Sequence, residues 1–192
     1  MFQLSDGCLL YHGSYVSIPD IDLTRCHTGL DFGNGFYVTS SFEQARNYIP
    51  LSVSKAKRVK MIPDGYSVDD GQISVYEFHY DPNLLIHYFQ EANAEWLHFV
   101  AANRSAVLFD ELLRKFRTAD IIVGKIANDQ TARTLQQYIA EYFGTPGTRE
   151  ADEAAIRQLL PNRLQDQFCF RTEDAIKCLR FVRSERYGNI DR

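Results

Sequence analysis

The chain has 192 residues, 21 of them Lys or Arg against 25 Asp or Glu, for a formal net charge of −4, and its hydrophobic content is 45%. Those values fit one globular domain and exclude a disordered chain, a collagen-like repeat and a coiled coil. The slight acidity also excludes a broad basic face held on nucleic acid by phosphate neutralisation, leaving room only for a local basic groove.

Cys8-Leu9-Leu10-Tyr11-His12 reads as a short apolar strand stopped by Gly13. The polar stretch 17–29, with Pro19-Asp20 and no periodicity, predicts a long loop, a type of segment that often carries function. Asp31-Phe32-Gly33-Asn34-Gly35-Phe36-Tyr37-Val38-Thr39 is a glycine-bearing turn that runs into a second strand. Ser40-Ser41-Phe42-Glu43 sets a serine three residues before a glutamate, a capping box that opens a helix carrying Ala45 and Tyr48 and ended by Pro50. Lys55, Lys57, Arg58 and Lys60 form the densest positive patch, read as a solvated helix end or loop.

Residues 72–80 alternate with period two and make the clearest strand, and 84–89 are a further strand candidate. Helices are expected over 94–103, with Trp96, Phe99 and Val100 on one face, and over 108–116. Asp120-Ile121-Ile122-Val123-Gly124 predicts a buried strand, 131–143 an amphipathic helix ended by Gly144, and 149–160 a helix ended by Pro161. Gln167-Phe168-Cys169-Phe170 reads as a final core strand, followed by a helix through Ala175, Ile176 and Leu179. No repeat, low-complexity tract or linker divides the chain, so one mixed α+β domain over 1–192 is expected. No run approaches the roughly 18 apolar residues of a membrane helix. The start Met1-Phe2-Gln3-Leu4-Ser5-Asp6 lacks the basic and apolar regions of a signal peptide, and both features predict a cytoplasmic protein.

Cys8, Cys26, Cys169 and Cys178 show no CxxC pairing and no zinc-like spacing to the five histidines, so they read as buried thiols and no metal is expected. His27, His79, His87 and His98 likewise read as structural. With 13 Phe, 11 Tyr and one Trp, aromatic side chains either fill the core or wall a site for a flat ligand.

Three features at strand ends carry chemistry: Tyr11-His12-Gly13-Ser14, Gly33-Asn34-Gly35-Phe36-Tyr37 and Asp166-Gln167-Phe168-Cys169-Phe170. Each alone has an ordinary structural reading. In this order they resemble the His-Tyr-Glu class of ADP-ribosyltransferases, which includes diphtheria toxin and the poly(ADP-ribose) polymerases. More closely, with Glu95-Trp96-Leu97-His98-Phe99-Val100 through Asn103-Arg104, the chain resembles over about 7–182 a bacterial family of unknown function, DUF3990, placed within that clan. The resemblance implies a split mixed β-sheet core with flanking helices, and NAD as a substrate.

It further implies that His12 hydrogen-bonds a ribose hydroxyl, the Gly13 backbone holds the nicotinamide carboxamide, and Tyr37 stacks on the nicotinamide ring, with Ser14 and Phe36 as second contacts. Gly33 and Gly35 would allow close backbone approach. Arg25 is the cation of the 17–29 loop suited to a pyrophosphate. Where the commonest pattern has a catalytic glutamate stands Gln167, which can hydrogen-bond a hydroxyl but cannot remove a proton. Glu95 is the alternative for that third position, its ordinary reading being an acid at a helix N-terminus. The expected activity is a mono-ADP-ribosyltransferase acting on a protein or nucleic acid, in the manner of bacterial toxins with a cognate antitoxin or of phage defence. An NAD glycohydrolase and a catalytically inactive binding module are the alternatives.

Overall fold

The computed structural model describes residues 3–26, 29–105, 107–125, 129–159 and 165–190. In chain order the elements are β1 (Leu9–Ser14), β2 (Phe36–Val38), α1 (Phe42–Arg58), β3 (Gln72–Phe78), β4 (Ile86–Tyr88), α2 (Ala94–Arg104), α3 (Asp110–Lys115), β5 (Ile121–Lys125), α4 (Asp129–Ile139), α5 (Arg149–Leu159), β6 (Asp166–Phe170), α6 (Glu173–Lys177) and β7 (Leu179–Arg186). The strands form two sheets, an antiparallel one ordered β1-β3-β7 and one ordered β2-β6-β5-β4, in which β4 runs parallel to β5 and the other pairs are antiparallel.

Side-chain alternation along the strands sorts the core into three layers. Between the sheets lie Leu10, Phe36, Val38, Tyr76, Phe78, Ile121, Val123, Phe168 and Phe170. Phe78 meets Phe170 at 6.0 Å between centroids and Phe36 meets Tyr76 at 5.6 Å, both edge to face. Such pairs add about 0.5–1.5 kcal/mol each beyond burial. On the outer face of the first sheet, Ile73 and Val75 take Ala45, Ile49 and Val53 of α1. On the outer face of the second, Cys169 and Ile122 pack under α2, α4 and α5. Among the described residues no helix is long and apolar enough to cross a membrane.

Several local expectations change. The first strand runs through Gly13 to Ser14 instead of stopping there, because Gly13 serves packing and not a turn: a Cβ at this position would lie 1.9 Å from the Ala45 carbonyl oxygen of α1. The cap of α1 is Ser41, one residue further along, whose side chain accepts from the Gln44 N–H while its own N–H goes to Thr39 Oγ1. The helix also passes Pro50 and ends at Arg58, with Lys55, Lys57 and Arg58 in its last turn. An internal proline costs about 3 kcal/mol. Pro50 is exposed on the solvent side, while buried Ile49, Val53 and Ala56 hold the opposite face on the sheet and keep the helix intact.

Finally, Leu179 belongs to β7 and not to the preceding helix, which closes at Lys177. The strand is an edge with Arg180, Arg183 and Arg186 on its exposed positions, and these charges mask its period-two pattern. The 131–143 helix is observed as Asp129–Ile139, since Glu141 takes a left-handed conformation before Gly144. His27 and Pro161 lie outside the described residues.

The close approach of α1 to Gly13 gives a direct test. Gly13→Ala should lower the unfolding free energy in urea by about 3 kcal/mol, through overpacking against a backbone oxygen that cannot yield cheaply. Gly65→Ala, where nothing lies within 4 Å of the added carbon, should leave stability unchanged or raised by up to about 1 kcal/mol.

Candidate functional site

Among the described residues, the backbones of the two sheets meet at one antiparallel bridge outside the named ladders, Tyr11 opposite Thr39. Tyr11 N–H donates to the Thr39 carbonyl at 2.8 Å and Thr39 N–H returns a bond to the Tyr11 carbonyl at 2.9 Å. Extending that register sets Gly13 opposite Tyr37, and a continued ladder would give the Tyr37 carbonyl to the Gly13 N–H. The carbonyl instead takes His12 Nδ1, at 2.7 Å. Strand alternation therefore directs the Gly13 N–H and C=O toward the place where β1 and β2 part.

His12 lies half-buried at this split, its ring stacked on Phe36 at 4.6 Å and 29°. Burial holds its pKa below the usual histidine value, with the Tyr37 carbonyl opposing part of that effect. A carbonyl oxygen only accepts, so the neutral ring must carry its proton on Nδ1, and Nε2 is left as an acceptor.

The turn before β2 is held from three sides. Gly33 has φ +81°, and a Cβ there would sit 2.7 Å from Asn103 Oδ1 of α2. At Gly35 a Cβ would sit 2.5 Å from Cys169 Sγ and 2.7 Å from the Phe170 carbonyl oxygen, so the second glycine lets the turn lie on β6. The Tyr37 hydroxyl donates to the Gly33 carbonyl at 2.7 Å and accepts the Phe32 N–H at 3.0 Å. Its phenol thus faces α2, opposite to His12 on Phe36, and burial raises its pKa far out of the physiological range. Burial also pushes the neighbouring Cys169 thiol up to about 12, which keeps it protonated.

Gln167 is 7% exposed and donates from Nε2 to Asp31 Oδ2 at 3.4 Å. Asp31, also buried, accepts two N–H groups of Arg104 at the end of α2, the Nε one at 2.8 Å. His12, Gly13, Gly35, Phe36 and Tyr37 therefore gather along the β1–β2 split, and Gln167 lies one rung of β6 away, in the row extended from Tyr11 and Thr39. Ser14 is buried on β1. Arg25 is exposed at the end of a 3₁₀ turn, Leu23–Arg25, capped by Asp22. The loop that carries it is pinned at Ile18, whose N–H donates to Ser74 Oγ and whose carbonyl accepts from the Tyr76 hydroxyl.

Glu95 stands apart, ion-paired with Lys115 where α2 meets α3. Of the other histidines, His98 bonds Asp152 at 2.7 Å and stacks on Phe109, while His87 packs against Phe116 and Phe89. A concavity of about 390 Å³ involves Leu84, His87, Lys115 and Phe116, and another, of about 720 Å³, is lined by Lys57, Arg58, Lys60 and Met61. Neither includes a residue of the split. Sequence reading gave no separate role to Asp31 or Arg104, since their partnership spans 73 positions and follows no spacing rule.

The fold and the split define a mixed α+β protein with two sheets and, among the described residues, six helices. The chain belongs to the family described as Protein of unknown function (DUF3990), whose model matches residues 8–181 and so takes in every residue of the site. No curated protein and no solved structure matches the chain.

Two half-buried histidines give a pH test. His12 and His87 both have pKa values lowered from 6.5, so the unfolded chain binds more protons as pH falls. Their contribution to stability is complete above pH 6.5 and is lost as the pH drops through the lowered folded-state values. His12→Asn keeps a donor for the Tyr37 carbonyl without the titration. Urea midpoints at pH 7.5, about 6.5 and 5.5 should fall less steeply in that variant than in the wild type.

Proposed function

We propose that the chain is an NAD-dependent mono-ADP-ribosyltransferase that modifies a macromolecular acceptor, protein or nucleic acid. The observation that carries this reading is the parting of β1 from β2 at Gly13, with the His12 Nδ1 bond in place of the ladder bond. A strand edge with its N–H and C=O both turned outward matches the paired acceptor and donor of a primary carboxamide, as in nicotinamide. The free Nε2 of a neutral His12 is suited to accept a ribose hydroxyl.

In this reading the Gly13 peptide groups hold the carboxamide, His12 orients a ribose and exposed Arg25 meets the pyrophosphate. Gln167 takes the third position and hydrogen-bonds the 2′-hydroxyl of the nicotinamide ribose. Tyr37 acts through its carbonyl on His12 and through its hydroxyl on the 31–35 turn. The glycosidic bond from ribose C1′ to the nicotinamide nitrogen breaks with both electrons going to nicotinamide, which leaves neutral. The oxocarbenium-like C1′ then bonds the acceptor nucleophile, which releases its proton to solvent or to a group of its own. Gln167 cannot take that proton and Glu95 is engaged with Lys115, so an acceptor nucleophilic in its own right fits best. Such an activity suits a toxin held by a cognate antitoxin or released in phage defence.

Incubation with NAD labelled in the adenylate half tests the reading. Transfer predicts label on protein or nucleic acid from a cell extract, together with released nicotinamide. Free ADP-ribose alone would make the chain an NAD glycohydrolase, and unconsumed NAD would make it a binding module. His12→Ala should lower kcat/KM for NAD by on the order of 100-fold, and unchanged turnover in that variant would remove the split from the reaction.

A further inference from the structure

A buried carboxylate in contact with the third position is Asp31, which lies in the turn before β2 while Gln167 lies on β6. Resting on the reading above, we propose that Asp31 is a positioning residue for that reaction: it fixes the orientation of the Gln167 amide, so that the amide oxygen makes the ribose hydrogen bond usually given to a glutamate.

A carboxylate offers only acceptors, so the Gln167 amide must turn Nε2 to Asp31 and its Oε1 away. Oε1 is then the atom available to receive the 2′-hydroxyl of the ribose, and hydrogen-bonding by Nε2 to an anion increases its acceptor strength. Arg104 holds the other oxygen of Asp31 through two N–H groups, fixing the carboxylate so that it cannot rotate away from Gln167. All three groups are taken from different elements: the turn before β2, the C-terminal end of α2, and β6. Burial of Asp31 and Gln167 keeps water from competing for the carboxylate.

This arrangement makes an unusual demand on substitutions. Gln167→Glu, which restores the commoner residue, would set two carboxylates against each other across the 3.4 Å contact. Asp31→Asn would keep an oxygen for Arg104 but present its own N–H₂ to Gln167, forcing that amide to reverse and point its N–H₂ at the ribose. The double variant Asp31→Asn with Gln167→Glu repairs both faults: the amide oxygen introduced at position 31 accepts from Arg104, and the amide nitrogen beside it donates to the new carboxylate at position 167.

Nicotinamide release from NAD, measured with full-length protein, should fall on the order of 100-fold in kcat for each single variant with KM for NAD changed less than about threefold. The double variant should recover to within about tenfold of the wild type. Gln167→Ala leaves the Asp31–Arg104 pair intact and so tests the amide in a folded background, with thermal unfolding of every variant recorded in parallel. Loss of kcat there supports the proposal, and wild-type turnover in Gln167→Ala overturns it. A folded double variant no faster than the slower single one also overturns it, while leaving the transferase reading in place if the wild type is active. A wild-type chain that releases no nicotinamide overturns both.

Discussion

Two hydrogen bonds between Tyr11 and Thr39 join the sheets, and what the chain presents as a site depends on where that junction stops. Beyond it, β1 and β2 continue on separate sheets, and the ladder bond that the Tyr37 carbonyl would have accepted goes to an imidazole. Thr39 secures the junction from below: its hydroxyl accepts the Ser41 N–H and lies 2.9 Å from Gln44 Oε1 and 3.2 Å from the Asp166 carbonyl oxygen. One residue therefore ties β1, the cap of α1 and the start of β6. Local backbone constraints thus fix the protonation pattern of His12, and that pattern determines what His12 can bind.

The buried polar groups act differently from the surface ion pairs. Pairs such as Arg149 with Glu153 or Lys177 with Asp174 are exposed and contribute little to stability. Asp31 with Arg104 is largely buried, where desolvation offsets much of the attraction, so its value lies in specifying one arrangement more than in added stability. The same holds for Asp152, which accepts from the Tyr138 hydroxyl and joins His98, tying α2, α4 and α5 at a single polar point in an apolar layer. Removing one partner from such a group would leave an uncompensated polar atom and cost far more than the group contributes.

Much of the architecture was legible because period and punctuation survive at the single-sequence level. The alternation of 72–80 gives β3, the apolar run from Ile121 gives β5, and Phe78, Phe99, Phe168 and Phe170 are all buried as their patterns require. The failures share a cause: tertiary contact outweighed a local signal. Gly13 looked like a stop and instead makes room for the backbone of α1, Pro50 looked like a stop and is carried by the buried face around it, and β7 was hidden by its arginines. In the site, the residue types and their order were legible. The facing of the Tyr37 phenol and the Asp31–Arg104–Gln167 cluster were not, since both are set by elements that meet only in the folded chain. The aromatic excess resolves the same way: among the described residues eleven aromatic side chains are buried core, with Phe36 lying under His12.

If NAD lies in the β1–β2 split against the Nε2 of a neutral His12, as we propose, that nitrogen must respond to it. Imidazole ¹⁵N spectra of the protein, assigned with His12→Asn and titrated with NAD at pH 7.5, test it most directly. The expected result is His12 as the Nδ1–H tautomer, with an Nε2 resonance that moves on saturation while those of His87 and His98 stay in place. A His12 found protonated on Nε2, or unmoved by NAD that binds elsewhere, would contradict it.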